Sequence, residues 1–136
     1  MRAIGERLLA VAREAGAYGL AAAHIGELAP VVVISADARE HRLLFNPRIV
    51  GVADETETGE EGSVSLPGVR VAIGRPVWAD VESMDAAGKL RSQRFDGFLG
   101  RVAQHEIEQM QGIFFLDRLS RLKREMVLKK LKKQAG

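Results

Sequence analysis

Apolar residues recur at helical spacing at the start of the chain. Ile4, Leu8, Val11, Ala12 and Ala15 fall on one face of an amphipathic helix, and Gly16 supplies its stop. Residues 30–35, Pro-Val-Val-Val-Ile-Ser, are β-branched and apolar, which predicts a short buried strand. Residues 41–45 are expected to form its neighbour and to end at Asn46-Pro47. Residues 51–59 are polar and read as a loop, and residues 69–73 read as a strand. Val77, Ala79 and Val81 then alternate with Trp78, Asp80 and Glu82, the period-two pattern of a half-buried strand. Asp85 to Gly88 marks a turn, with a return strand over residues 89–94. Asp96 is placed to cap a helix from Gly97. Leu99, Val102, Ala103, Ile107 and Met110 give that helix its apolar stripe, and Gly112 ends it. Ser120 is placed to cap a last helix over about residues 120–134.

This order predicts an α+β fold, with mainly antiparallel sheets packed around the helix that carries His105-Glu106. A chain of 136 residues is sized for one domain over 1–136, and it shows no repeat, low-complexity segment or linker. No apolar run approaches the ~20 residues needed to span a bilayer, and the first residues do not resemble a signal peptide. With no cysteine, disulfides and thiolate-bound metals are excluded, and a cytoplasmic setting is expected. The net charge of +2 is unevenly placed. Eight Lys or Arg residues face a single acid, Glu125, between Arg118 and Lys133. That stretch is expected to be a solvated helix, and it is a candidate contact for RNA or the ribosome. The acidic run from Asp54 to Glu61 is expected to be a solvated loop. His41 is expected on a strand surface and Trp78 at a core edge.

Candidate chemistry is confined to three stretches. The first, Gly19-Leu-Ala-Ala-Ala-His24-Ile-Gly26, has small residues that allow close backbone approach. The second is Glu61-Gly-Ser63-Val-Ser65-Leu-Pro-Gly68, and the third is Gln104-His105-Glu106-Ile-Glu108-Gln109-Met-Gln-Gly112. On a helix, His-Glu followed three residues later by a second His would place two imidazoles on one face around a metal, with the Glu as base. Here that last position is Gln109, a weak neutral ligand, so the third stretch alone carries little weight.

Taken together, in this order and spacing, the three stretches resemble the signatures of peptide deformylases: Gly-x-Gly-Leu-Ala-Ala-x-Gln, Glu-Gly-Cys-Leu-Ser, and His-Glu-x-x-His followed by Gly. Asn46-Pro47, Leu66-Pro67-Gly68, Phe115, Asp117 to Ser120 and Leu122 to Arg124 extend the resemblance over nearly the whole chain from about Leu8. The family's usual N-terminal leader is missing or very short by this comparison. The resemblance implies removal of the formyl group from N-terminal formyl-methionine of new polypeptides. It implies a divalent metal (Fe, Ni, Zn or Co) held by the Cys and both His, a water activated on it, the Glu as proton carrier, and a Gln and a backbone N–H as oxyanion donors.

Carried onto this chain, the resemblance keeps the metal ligand His105 and the base Glu106. It places His24 where the family has Gln, Ser63 where it has Cys, and Gln109 where it has the second His. Gly19, Gly62 and Val64 match backbone-lining positions, and Arg70 matches an Arg near the peptide groove. The expectation is a deformylase-like protein that is inactive or strongly impaired, holds no metal, and still binds peptide N-termini or another partner. One alternative is an active hydrolase with a rearranged metal site using His24 and His105 with Glu106. Another is a metal-free hydrolase with Ser63 as nucleophile, His24 or His105 as base, and Glu106 or Glu108 as orienter.

Overall fold

In a computed structural model of the chain, residues 1–63 and 66–135 are described. Helix α1 (Arg2–Ala15) ends at Gly16, whose φ of 62° suits the left-handed position of a helix stop. Strand β1 (Gly19–Ala21), not foreseen from the sequence, runs into a one-turn 3-10 helix, Ala22–Ile25. Then come β2 (Val31–Ile34), β3 (Arg42–Val52), β4 (Thr56–Ser63), β5 (Leu66–Pro76), β6 (Trp78–Met84) and β7 (Leu90–Asp96). Helix α2 (Gly97–Met110), a short 3-10 turn (Phe115–Arg118) and α3 (Arg121–Ala135) complete the chain.

Five strands form one antiparallel sheet in the order β1-β2-β3-β6-β7, and β4 and β5 pair as a separate hairpin. The fold is α+β, as expected. Strand β2 explains why residues 31–34 are uniformly apolar. Val31 and Val33 pack with Leu8, Ala12 and Phe45 on the α1 side, while Val32 and Ile34 pack with Val102, Ala103 and Ile107 of α2. A strand covered on both faces has no solvent side to make polar. In α1, Leu8 and Ala12 are buried and Ile4 partly so, but Val11 and Ala15 of the expected stripe are exposed.

Several boundaries differ from the sequence reading. Strand β3 does not stop at Asn46-Pro47 but passes through it. Asn46 adopts φ of 49° and the β3–β6 register slips there, so Pro47 occupies an irregularity where no ladder donor is needed. Residues 51–59 are mostly strand rather than loop, because β3 reaches Val52 and β4 begins at Thr56. Their polarity reflects one solvated face of paired strands, which composition alone reads as a loop. Strand β5 is longer than expected, and Val77 lies between β5 and β6. Asp96 holds the cap position of α2 without a side-chain cap bond, whereas Ser120 Oγ does accept from Lys123 N–H at 3.2 Å. His41 is not on a strand surface. It is half-buried, and its Nε2 donates to the Ala17 carbonyl at 2.8 Å.

Candidate functional site

Helix α2 lies between the sheet and the β4–β5 hairpin. Its apolar stripe faces the sheet, which turns Arg101, His105 and Glu108 toward the hairpin. There Glu61, read from the sequence as part of a solvated acidic loop, is in fact buried at 6% exposure. Arg75 Nε and Nη2 donate to its two oxygens at 2.5 and 2.9 Å, and Arg101 Nη1 donates to Oε2 at 2.7 Å. His105 Nδ1 lies 2.8 Å from Oε1. A carboxylate there fixes the ring's orientation and directs Nε2 away from Glu61. The ring also rests against Phe115, with centroids 5.1 Å apart.

The network continues outward. Arg75, with no side-chain exposure, also donates to Glu108 at 2.7 Å, and Arg118 pairs with Glu108 from the other side. Arg101 further donates to the backbone carbonyls of Glu57 and Ile73, at 2.6 and 2.8 Å. Its passage requires Gly59, where an added Cβ would lie 2.9 Å from Arg101 Nε. Burial drives the Glu61 carboxyl upward, but the hydrogen bonds from His105 and Arg75 and the Arg75 charge outweigh it and hold the pKa at about 2.

Glu106, the next residue on the helix, has the opposite electrostatic fate. Burial pushes its carboxyl up to about 7, only partly countered by His105 and Arg75, and Oε1 has no hydrogen-bond partner among the described residues. Gly19 of β1 is pressed against it, since an added Cβ would lie 2.7 Å from Glu106 Oε2. The expected close approach at the first motif is therefore made to the catalytic-position carboxylate.

His24 sits in the one-turn helix after β1. The Ala21 N–H donates to its Nδ1 at 2.9 Å, so that nitrogen carries a lone pair and the ring proton lies on Nε2. The Ala21 carbonyl, 3.1 Å from the same nitrogen, then contributes no bond. Burial lowers the His24 pKa and the nearby His105 adds to this, so the ring is neutral near pH 7. Its Nε2 and the Gln109 Oε1 are buried without a partner among the described residues.

A cleft of about 530 Å³ collects most of the sequence-predicted site. His24, Ser63, His105 and Glu106 line it, together with Gly19, Gly62 and Arg70. Arg70 is largely exposed, with Nε 3.8 Å from Glu60. Gln109, half-buried on the next turn of α2, does not line the cleft. Val64, expected to present a backbone N–H, lies outside the described residues. Among the described residues, no three His, Cys, Asp or Glu side chains converge as a metal set, so His24, His105 and Glu106 are not assembled as one. Sequence reasoning missed Arg75, Arg101 and the role of Glu61. Arg75 within a largely small and apolar strand, and a Glu heading the second motif, were the signals available.

Comparison with known proteins agrees with this geometry. Residues 1–125 match the sequence model of a family described as polypeptide deformylase. A protein of Rhizobium meliloti named peptide deformylase-like is 40% identical over 98% of this chain and 78% of its own length. A peptide deformylase of Brucella suis is 38% identical over 90% of this chain and 73% of its own. The crystal structure of a peptide deformylase from Legionella pneumophila superposes with a TM-score of 0.84 at 34% identity, over 94% of this chain and 76% of that one. Peptide deformylase 1B of Arabidopsis thaliana, at 22% identity and a TM-score of 0.88, shares the fold over 95% of this chain and 74% of its own.

Proposed function

The chain belongs to the polypeptide deformylase family, and we propose that it is a member that binds peptide N-termini in the cleft and removes their formyl group slowly or not at all. The donor set carries this reading. Where the resemblance requires a thiolate and two imidazoles, the chain offers the Ser63 hydroxyl, His105 and the Gln109 amide. A serine hydroxyl stays protonated near pH 7 and a carboxamide is neutral, so neither balances the charge of a divalent ion. Changes beyond the ligand shell alone cost roughly 10–100-fold in metal affinity, and replacing two direct ligands costs more. The residues present do not fit a catalytic transition metal. What remains suits binding: a cleft lined by Gly19, Gly62, Val69 and Val102, with Arg70 at an exposed position.

Metal content and formate release from formyl-Met-Ala-Ser test the reading together. The purified parent is expected to carry less than about a tenth of an equivalent of Fe, Ni, Zn or Co. A Ser63→Cys, Gln109→His double variant is expected to gain metal and to release formate at least ~100-fold faster. A parent rate comparable with that of ordinary deformylases refutes it. Near-stoichiometric metal in the parent instead favours the alternative, an active hydrolase whose site is rearranged around His24 and His105.

Helix α3 supports a separate proposal, contact with RNA or the ribosome. Lys123, Lys129, Lys130, Lys132 and Lys133 are exposed, and Arg124 is partly so. Deleting residues after Ser120 should abolish low-salt co-sedimentation with ribosomes, and unchanged co-sedimentation would leave α3 a structural role only. We propose a cytoplasmic setting. No helix among the described residues is long and apolar enough to cross a membrane.

A further inference from the structure

One wall of the cleft is the connection between α1 and β1, residues 16–18. A segment this short has no helix or ladder of its own to fix it. The Ala17 N–H donates to the Ala12 carbonyl at 2.9 Å. The carbonyls of Ala17 and Tyr18 are held by the two ends of the loop over residues 35–41. The Ser35 N–H donates to the Tyr18 carbonyl at 2.7 Å, and His41 Nε2, 24 positions from Ala17, donates to the Ala17 carbonyl at 2.8 Å. Neither Ser35 nor His41 lines the cleft. Tyr18 passes the constraint on, with its ring edge-to-face against Phe98 of α2 at 5.0 Å.

The loop is itself held in shape. Ser35 Oγ accepts from the Ala38 N–H at 2.9 Å and donates to Asp37 Oδ1 at 3.1 Å. The same Asp37 oxygen accepts from the N–H groups of Arg39 and Glu40, both at 2.9 Å. These bonds keep Ala38 at φ of 62°, which a residue with a Cβ seldom adopts. His41 Nδ1 is buried without a partner among the described residues, a cost that an apolar side chain would avoid. The ring also borders a separate cavity of about 250 Å³ with Arg42 and Leu99, so close packing does not fix it. What the imidazole supplies, and an apolar side chain does not, is the bond to Ala17. We propose that His41 is a positioning residue: with Ser35 it forms a strut that fixes the Ala17–Tyr18 wall from outside the site. Its effect on peptide affinity rests on the reading that the cleft holds peptide N-termini, and its effect on the wall does not.

Amide hydrogen exchange and binding of labelled formyl-Met-Ala-Ser test it on the full chain. In His41→Leu, exchange at Ala17 and Ser35 is expected to be about tenfold faster, with β6 amides changed less than about twofold and the peptide bound about fivefold more weakly. His41→Gln, which keeps an N–H donor, should return both readouts to within about twofold of the unaltered protein. Asp37→Ala, at an exposed position, loosens the loop with His41 in place. It should speed the same two amides by a smaller factor, and it decides the matter if His41→Leu does not fold. Unchanged exchange at Ala17 and Ser35, or acceleration shared equally by β6, overturns the inference. So does a local acceleration that leaves peptide affinity unaltered. If the unaltered protein binds no peptide at millimolar concentration, the peptide reading falls and exchange alone decides whether the strut exists.

Discussion

On helix α2, Arg101, His105 and Glu108 meet the hairpin through a continuous set of ion pairs and hydrogen bonds, centred on Glu61 and Arg75. One residue away, Glu106 carries a buried oxygen with no partner among the described residues, and Gln109 carries another a turn further on. Both groups are polar and largely removed from water, yet one is satisfied and the other is not. The satisfied side joins the hairpin to the helix. Of the unpartnered side chains here, His24 and Gln109 depart from the resemblance and Glu106 keeps it. The polar connections between hairpin and helix are thus complete, while His24 Nε2, Glu106 Oε1 and Gln109 Oε1 have no partner among the described residues.

The contrast makes predictions of opposite sign. Breaking the satisfied side should cost most. Arg75→Met leaves Glu61 with only Arg101 and His105, and Glu108 with only Arg118, and denaturant unfolding at neutral pH should show a loss of about 3 kcal/mol. A loss under about 1 kcal/mol would mean that the network does not hold the hairpin.

The two buried carboxylates should give opposite pH slopes. The folded pKa of Glu61, about 2, lies below its ordinary value of 4.5. Its contribution is therefore present above pH 4.5 and lost as pH falls toward 2, and it amounts to roughly 3 kcal/mol. Glu106 is raised from 4.5 to about 7. Its native state favours the proton, so stability declines as pH rises from 4.5 to 7, also by roughly 3 kcal/mol, and stays lower above. Unfolding free energies from pH 2 to 8 check this. Glu61→Gln should flatten the acid limb, and Glu106→Gln should flatten the neutral limb and stabilise the protein at pH 8. Parallel slopes for the two variants would dissolve the distinction.

The smallest effect is expected at Gln109. Replacing it with Leu removes an unpartnered oxygen at similar volume, so stability should be unchanged or higher by about 1 kcal/mol. A loss above 2 kcal/mol would show that the amide is satisfied after all.

Much of this molecule was legible along the chain. The periodicities of α1, β6 and α2 located those elements, because each buries a face whose spacing is a property of local backbone geometry, and an unbroken apolar run located β2. Three short motifs were enough to name the family and to flag Ser63, His24 and Gln109 as departures. Where the reading failed, at residues 51–59 and at Asn46-Pro47, polar or turn-forming residues lie within paired strands, and only the partner strand reveals the pairing.

The amino-acid order therefore determined the α+β class, the family and the chemistry of the donors at each site position. It did not determine that Glu61 is buried, that Arg75 is its counter-charge, or that Arg101 reaches across to two strands. Those pairings join residues 14, 40 and 44 positions apart. Burial and charge balance at such positions arise only when the hairpin folds onto α2, since a charge is costly or stabilising according to which distant group arrives beside it.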